Sequence, residues 1–263
     1  MKNVSDFIII ENCRLNTEYF ILKLQKEGEL HPQNDAIFAG QFVQILIPNN
    51  KTFLRRPISI FDVNYDVENK ILTIFLLIKI AGKGTEELSK LQENQKINLI
   101  YPLGNHFSTF GTNEIEKTTL LIGGGVGIAP LFYLGKFLPQ KNLNFLLGYR
   151  NKESVILKEK FEEIGKIFIT TDDGSFGEKG TVLQHYILKN QKFDKIYACG
   201  PTAMLKSVAK YAEEKNIDCE LSLENLMACG IGACLCCVNK KITGTKSVCV
   251  DGPVFNIKEL NFN

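Results

Sequence analysis

Six of the eight cysteines in this 263-residue chain lie between Cys219 and Cys249: Cys219, Cys229, Cys234, Cys236, Cys237 and Cys249. A tail of about 40 residues cannot bury a hydrophobic core of its own, so it is stapled, metal-bound or packed on a larger body. The rest of the sequence bears on that choice. Met1-Lys2-Asn3-Val4-Ser5-Asp6 leads into only four apolar residues, Phe7 to Ile10, before Glu11, too few for the h-region of a secretory signal. The best apolar run, Ile71 to Ala81, is interrupted by Lys79 and falls short of the roughly 18 residues that span a bilayer. The expectation is a cytoplasmic chain with reduced thiols, where clustered cysteines hold metal or carry redox chemistry. A net charge of +2 gives no reason to expect nucleic acid or an anionic membrane as partner.

Cys229, Cys234, Cys237 and Cys249 follow the spacing C-x4-C-x2-C-x11-C. The first two intervals are those of plant-type [2Fe–2S] loops. A structural Zn(Cys)4 site favours two C-x2-C pairs, and Cys234/Cys237 is the one such pair in that ligand set. Cys236 allows other ligand sets, such as Cys229/Cys234/Cys236, but the x2 interval favours Cys237. Gly230, Gly232 and Ala233 are small enough to let backbone amides point at sulfur.

Residues 1–108 are β-rich. Apolar and β-branched runs recur at Phe7–Ile10, Tyr19–Leu24, Gln41–Ile47, Ile58–Phe61, Ile71–Ile80 and Lys96–Ile100, with turn signals such as Pro48-Asn49-Asn50 and Pro102-Leu103-Gly104 between them. This pattern predicts an antiparallel barrel or sandwich, with one helix from Thr85 to about Leu91. From Thr118 the pattern changes. Expected strands at Thr118–Ile122, Leu143–Gly148, Lys166–Thr171 and Lys195–Cys199 alternate with expected helices at Ala129–Leu138, Ser154–Ile164, Val182–Lys189 and Thr202–Lys215. Such alternation implies βαβ units and a parallel sheet. The tail from Cys219 onward carries short strands at best. The expected division is therefore 1–108, 109–218 and 219–263.

Two constellations suit dinucleotides. Arg56-Pro57-Ile58-Ser59 sets a guanidinium fork, suited to a pyrophosphate, beside a rigid strand start. Gly82-Lys83-Gly84-Thr85 opens a helix whose free amides favour phosphate. Either motif alone reads better as a surface arginine or a plain turn; together, ahead of an α/β domain, they point to a flavin dinucleotide. Gly123-Gly124-Gly125-Val126-Gly127-Ile128-Ala129-Pro130 follows a strand and starts a helix, the context a nucleotide loop requires. Pro130 stands where a G-x-G-x-x-G loop has its third glycine and suits a first helical turn. Cys199-Gly200-Pro201 follows a later strand. No histidine lies near Cys199 in sequence to activate it, so it reads as a packing residue rather than a nucleophile. Tyr149-Arg150-Asn151-Lys152-Glu153 leaves NAD and NADP open: Arg150 and Lys152 suit a 2′-phosphate and equally suit a solvated loop.

With these motifs in place, the sequence resembles the ferredoxin–NADP reductase superfamily, in which an antiparallel flavin-binding β-barrel precedes a parallel-sheet nucleotide-binding domain. The resemblance puts FAD on Arg56, Pro57, Ile58, Ser59, Gly84 and Thr85, with Leu77, Ile78 and Lys79 along it. It puts the nicotinamide nucleotide on Gly124, Gly125, Gly127 and Pro130, with Cys199, Gly200 and Pro201 at the nicotinamide. The stretch Leu223 to Cys234, with Cys237-Val238 and Cys249 to Phe255, is similar to the electron-transfer subunits of dihydroorotate dehydrogenase B over essentially the whole chain. That resemblance implies FAD, NAD and one [2Fe–2S] cluster held by Cys229, Cys234, Cys237 and Cys249 in a small C-terminal iron–sulfur subdomain. It also implies an FMN-containing catalytic partner that oxidises dihydroorotate in pyrimidine (UMP) biosynthesis, assembled as a heterotetramer of two subunits of each kind. Electrons would run from that FMN through the cluster and FAD to NAD+. Cys236 departs from the family pattern, where a small residue without a thiol is expected.

His31, His106 and His185 are scattered and form no evident catalytic base, which fits electron entry through a partner. The alternative is the flavin/iron–sulfur subunit of a related NAD(P)H–ferredoxin or sulfide oxidoreductase complex, in which an aspartate can replace one cysteine ligand; the all-thiol loop argues against it. Oxygenase reductases carry a full ferredoxin domain, for which the tail is too short. A zinc-stapled interaction module is the alternative from outside the enzymes. Cys13 and Cys219 are expected to be buried small hydrophobes.

Overall fold

The computed structural model describes residues 2–31, 33–48, 52–109, 116–239 and 245–262. Asn49 and Asn50 of the expected turn lie outside the described residues. The first domain contains β1 (Asn3–Arg14), β2 (Tyr19–Lys26), β3 (Phe42–Ile45), β4 (Arg56–Ser59), β5 (Asp62–Asp66), β6 (Ile71–Lys79), α1 (Lys83–Ser89) and β7 (Lys96–Leu103). Its seven strands run β4-β3-β7-β1-β2-β6-β5, every neighbouring pair antiparallel. The sheet curls so that β4 also contacts β6. Its interior is filled by residues such as Phe7, Ile9, Leu22, Leu24, Leu72, Ile74 and Leu76, all fully buried. Helix α1 packs on this core through Leu88, and the Asn12 side chain donates to the Leu88, Ser89 and Leu91 carbonyls, satisfying groups a short helix end leaves open. Past the register shift between Ile9 and Glu11, no side chain of β1 is fully buried. Cys13 is accordingly half-buried, unlike the expected core residue.

The second domain contains β8 (Thr119–Gly124), α2 (Ile128–Gly135), β9 (Leu143–Tyr149), α3 (Lys158–Glu162), β10 (Lys166–Thr171), β11 (Glu178–Lys179), α4 (Ile187–Asn190), β12 (Lys195–Cys199), α5 (Thr202–Lys215) and β13 (Asp218–Ser222). After them come β14 (Val238–Asn239), β15 (Lys246–Ser247) and β16 (Val254–Asn256). The sheet order is β11-β10-β9-β8-β12-β13-β16, parallel except for β16. The chain builds outward from β8 on one side through β9 and β10, then returns to the other side of β8 with β12. The switch point therefore lies between β8 and β12, where sheets of this kind hold ligands.

This sheet crosses the expected boundary at 218/219. β13 contains Cys219, and β16 adds an antiparallel edge from the far end of the tail. The polar content of Asp218-Cys219-Glu220-Leu221-Ser222 hides that strand. The reason is specific: buried Lys195 pairs with Asp218 at 2.6 Å and with Glu220 at 2.8 Å. The two domains meet through α2, where Phe61 stacks on Phe132 at 4.5 Å and Lys136 pairs with Asp62 at 2.7 Å.

Candidate functional site

The first constellation is brought together in space. Arg56 opens β4, and its side chain lies against Gly84 in α1: a Cβ on Gly84 would fall 2.7 Å from Arg56 Nε. Arg56 Nη1 donates to the Leu54 carbonyl at 2.7 Å, which holds one edge of the guanidinium and leaves the rest of its fork for a ligand. The Thr85 hydroxyl is occupied locally. It accepts from the Ala81 amide at 2.9 Å and donates to the Gly82 carbonyl at 3.0 Å, so it shapes the helix start. Pro57, Ile58 and Ser59 are half-buried along β4. Leu77 and Ile78 are buried, and Lys79 is the member of that run that reaches the cleft.

The second constellation also converges. A Cβ on Gly127 would collide with the Cys199 carbonyl and lie 2.7 Å from Gly200 Cα, and one on Gly124 would meet Pro201 Cδ at 2.8 Å. The glycine loop after β8 and the Cys-Gly-Pro turn after β12 are thus in backbone contact, which only glycine permits at 127. Gly125 has a positive φ of 55°, and Pro130 is buried in the first turn of α2. Burial pushes the Cys199 thiol up to about 12, so it stays protonated and packs.

Between the domains lies a cleft of about 570 Å³. Tyr19 and Lys79 line it from the barrel, Gly124 and Gly125 from the loop, Arg150 from the end of β9, Asp172 from the end of β10, and Met204 from α5. Lys79 lies 5.5 Å over the Tyr19 ring and pairs with Glu18 at 3.4 Å. Glu224, just beyond β13, also faces the cleft. Sequence reasoning missed Tyr19, Asp172, Met204 and Glu224. An acid directly after the third strand was a usable signal for Asp172; the other three carry no local pattern.

The cysteine loop folds as two thiol pairs. The Cys234 amide donates to Cys229 Sγ at 3.4 Å, and the Cys249 amide donates to Cys237 Sγ at 3.4 Å. Burial disfavours a thiolate at Cys229, but the Ile231 and Cys234 amides, the Cys234 thiol and the Ala233 amide outweigh it and bring Cys229 down to about 6. Burial and the neighbouring Cys237 thiol push Cys249 up to about 12. Among the described residues, no three His, Cys, Asp or Glu side chains form a single-ion site. Two pairs fit a two-iron centre, in which each iron takes two of the four thiolates. The Cys236 thiol is exposed and donates to the Leu226 carbonyl at 3.7 Å. Cys237, Val248, Cys249 and Phe255 pack in one apolar cluster with Phe42 and Leu103, so the loop rests on β3 and β7 of the barrel.

Solved structures identify the class. A ferredoxin–NADP reductase from Neisseria gonorrhoeae with bound FAD and NADP shares the fold: TM-score 0.60, 15% identity, 80% of this chain and 91% of that one. An NADH-dependent reduced ferredoxin-NADP oxidoreductase reaches TM-score 0.81 at 30% identity, over 97% of this chain and 90% of that one. The fold is that of the flavin-dependent nicotinamide reductases.

Residues 224–261 match the iron-sulfur cluster binding domain of dihydroorotate dehydrogenase B, and residues 121–210 match an oxidoreductase NAD-binding domain. The dihydroorotate dehydrogenase B (NAD(+)) electron transfer subunit of Caldanaerobacter subterraneus subsp. tengcongensis is 39% identical over 97% of both chains. That of Listeria monocytogenes is 42% identical over 84% of this chain and 86% of its own. The chain belongs to the family of dihydroorotate dehydrogenase B electron transfer subunits. Its cofactors are accordingly FAD, a [2Fe–2S] cluster and NAD, and its counterpart is a catalytic subunit.

Proposed function

We propose that this chain carries electrons from a dihydroorotate-oxidising, FMN-containing subunit to NAD+ in cytoplasmic pyrimidine biosynthesis, in a heterotetramer with two subunits of each kind. No helix among the described residues is long and apolar enough to cross a membrane. The observation that carries the reading is the apolar surface around the cysteine loop. Leu226, Ile231, Leu235 and Val250 are all exposed there, which marks a protein-docking face at the cluster, while the nucleotide cleft opens between the domains. Partner and nucleotide therefore reach the chain at separate places.

A flavin, when bound, links the one-electron chemistry of the cluster to the hydride chemistry of nicotinamide. The chain's own residues hold and orient the groups. Cys229, Cys234, Cys237 and Cys249 ligate the cluster. Arg56 and the Gly84 turn take the flavin pyrophosphate, with Pro57, Ile58, Ser59, Leu77, Ile78, Lys79 and Thr85 shaping the surrounding surface. Gly124, Gly125, Gly127 and Pro130 receive the NAD pyrophosphate, and Cys199, Gly200 and Pro201 close against the nicotinamide. Asp172 at the end of β10 favours a free ribose 2′-hydroxyl over a 2′-phosphate. The test is reconstitution. Mixed with an FMN-containing dihydroorotate-oxidising subunit, the chain should support dihydroorotate-dependent NADH formation that neither subunit gives alone. No NADH from a complex that retains all its cofactors would refute the reading.

A further inference from the structure

Gln44 lies in β3 and is fully buried, and neither its side-chain N–H2 nor its C=O has a hydrogen-bond partner. Its backbone carbonyl is used, accepting from Arg55 Nη1 at 3.2 Å, but the amide is not. A buried amide left unpaired is costly, so in a native fold it signals a group that completes it.

The position of this amide identifies that group. β3 alternates. Val43 and Ile45 point into the barrel core, whereas Phe42 packs with Cys237 and Cys249 on the outer face. Gln44 shares the side of Phe42. Its amide presses on the cysteine loop: a Cβ on Gly230, the residue after Cys229, would sit 2.6 Å from Gln44 Nε2. Gly230 has a φ of +70°, and its missing side chain is what lets the amide approach. Across the strand Gln44 pairs in register with Pro57 of the Arg-Pro-Ile-Ser motif. One residue therefore touches the cysteine loop and neighbours the strand of the flavin motif.

We infer that Gln44 donates its side-chain N–H to an inorganic sulfide of the iron–sulfur cluster held beside Gly230 and so sets the cluster's reduction potential. This rests on the cluster ligation proposed above. Reduction adds negative charge to the sulfurs, so an N–H donor stabilises the reduced form more than the oxidised form and raises the potential. The apolar floor of Phe42 and Leu103 strengthens the effect by lowering the local dielectric.

The experiment uses the full chain with its cofactors bound. In an EPR-monitored redox titration, Gln44→Leu should shift the cluster's reduced-to-oxidised ratio about tenfold toward oxidised, a potential about 59 mV more negative for a one-electron couple. In a second measurement on the natural sequence, 15N in the glutamine side chains should show hyperfine coupling to the reduced cluster, and Gln44→Leu should remove it. The labelling result stands even if that variant fails to fold. A cluster signal with unchanged potential in Gln44→Leu, or no 15N coupling in the natural sequence, would overturn the role of Gln44. Absence of any iron–sulfur signal in the natural sequence would instead overturn the cluster ligation itself.

Discussion

The contact between Arg56 and Gly84 allows a test that separates charge from placement. On the pyrophosphate role proposed for Arg56, Arg56→Ala should remove a charge-assisted, bidentate donor worth about 1.5–3 kcal/mol. That corresponds to a roughly 10- to 150-fold rise in the FAD Kd. Gly84→Ala keeps the guanidinium but moves it, because the new Cβ would lie 2.7 Å from Nε and 3.2 Å from Cγ and Cζ. The obstruction is a flexible side chain, and Ala is the better helix former by about 0.5–1 kcal/mol, so the fold should hold while flavin affinity falls about tenfold. Both changes act through one guanidinium, so the double variant should bind FAD no worse than Arg56→Ala alone. Stripping the flavin and titrating FAD back by fluorescence quenching gives all four Kd values. Unchanged affinity in Arg56→Ala would refute the pyrophosphate role, and additive losses in the double variant would refute the shared mechanism.

Gly127→Ala should cost about 1–3 kcal/mol, because its Cβ collides with the Cys199 carbonyl rather than with a yielding side chain; thermal melting should show the loss, and NADH-dependent dye reduction a higher KM. Cys229→Ser should lose the iron–sulfur spectrum and electron exchange with the catalytic partner yet keep NADH oxidation by artificial acceptors, and equal loss of both activities would contradict the separate roles. Burial alone would raise the Asp35 carboxyl, but hydrogen bonds from Lys26, the His31 amide and Tyr101 outweigh it and hold it below the ordinary value. Its contribution is therefore present above the unfolded value near 4 and lost as pH falls through the folded value. Asp35→Asn should cost about 1–3 kcal/mol at neutral pH by leaving half-buried Lys26 without its carboxylate, and denaturant melts across pH should show a flatter acid limb than in the natural sequence. In cluster-free protein near pH 8, iodoacetamide should label exposed Cys234 and Cys236 well before Cys199, whose thiol is buried and raised to about 12; early labelling of Cys199, read by mass spectrometry, would contradict its packing role.

The elements most legible in the sequence are those whose pattern is their own. Lys166–Thr171, Lys195–Cys199 and Thr202–Lys215 match the observed bounds. Where tertiary pairing decides, the pattern misleads. Asp62–Asp66 alternates Val63 and Tyr65 with polar residues, but five residues with two acids make a faint signal, and the strand is evident only where it lies along β6. The apolar spacing over Ser154–Ile164 predicts one helix, but Leu157 adopts a left-handed φ of 58° and leaves a short turn followed by Lys158–Glu162. Val182–Lys189 is likewise divided at His185, where the backbone is extended. Helix α2 ends at Gly135 rather than Leu138. Of the site, the glycine and cysteine motifs are legible because close backbone approach and thiolate spacing leave local signatures. Tyr19, Asp172 and Glu224 come from distant segments and meet in the cleft only in the fold, and Gln44 meets Gly230 of the cysteine loop in the same way.

The cysteine-rich tail is too short to hold a core, and its anchoring shows why it needs none. Its last strand, β16, pairs with β13 of the parallel sheet. Asn105, just past the barrel, donates to the Asp251 and Val254 carbonyls and accepts from the Val254 amide. Its thiol loop rests on Phe42 and Leu103 of the barrel. Each domain therefore supplies one wall of the cluster site, and the cluster's distance from the flavin motif is set by β3 and β4, adjacent strands of one sheet. Electron transfer needs that distance held, whereas the apolar rim of the loop needs only to be exposed. The same anchoring meets both needs: it fixes the inner face of the loop on the barrel and leaves Leu226 and Leu235 exposed, as the docking face proposed for the catalytic subunit requires.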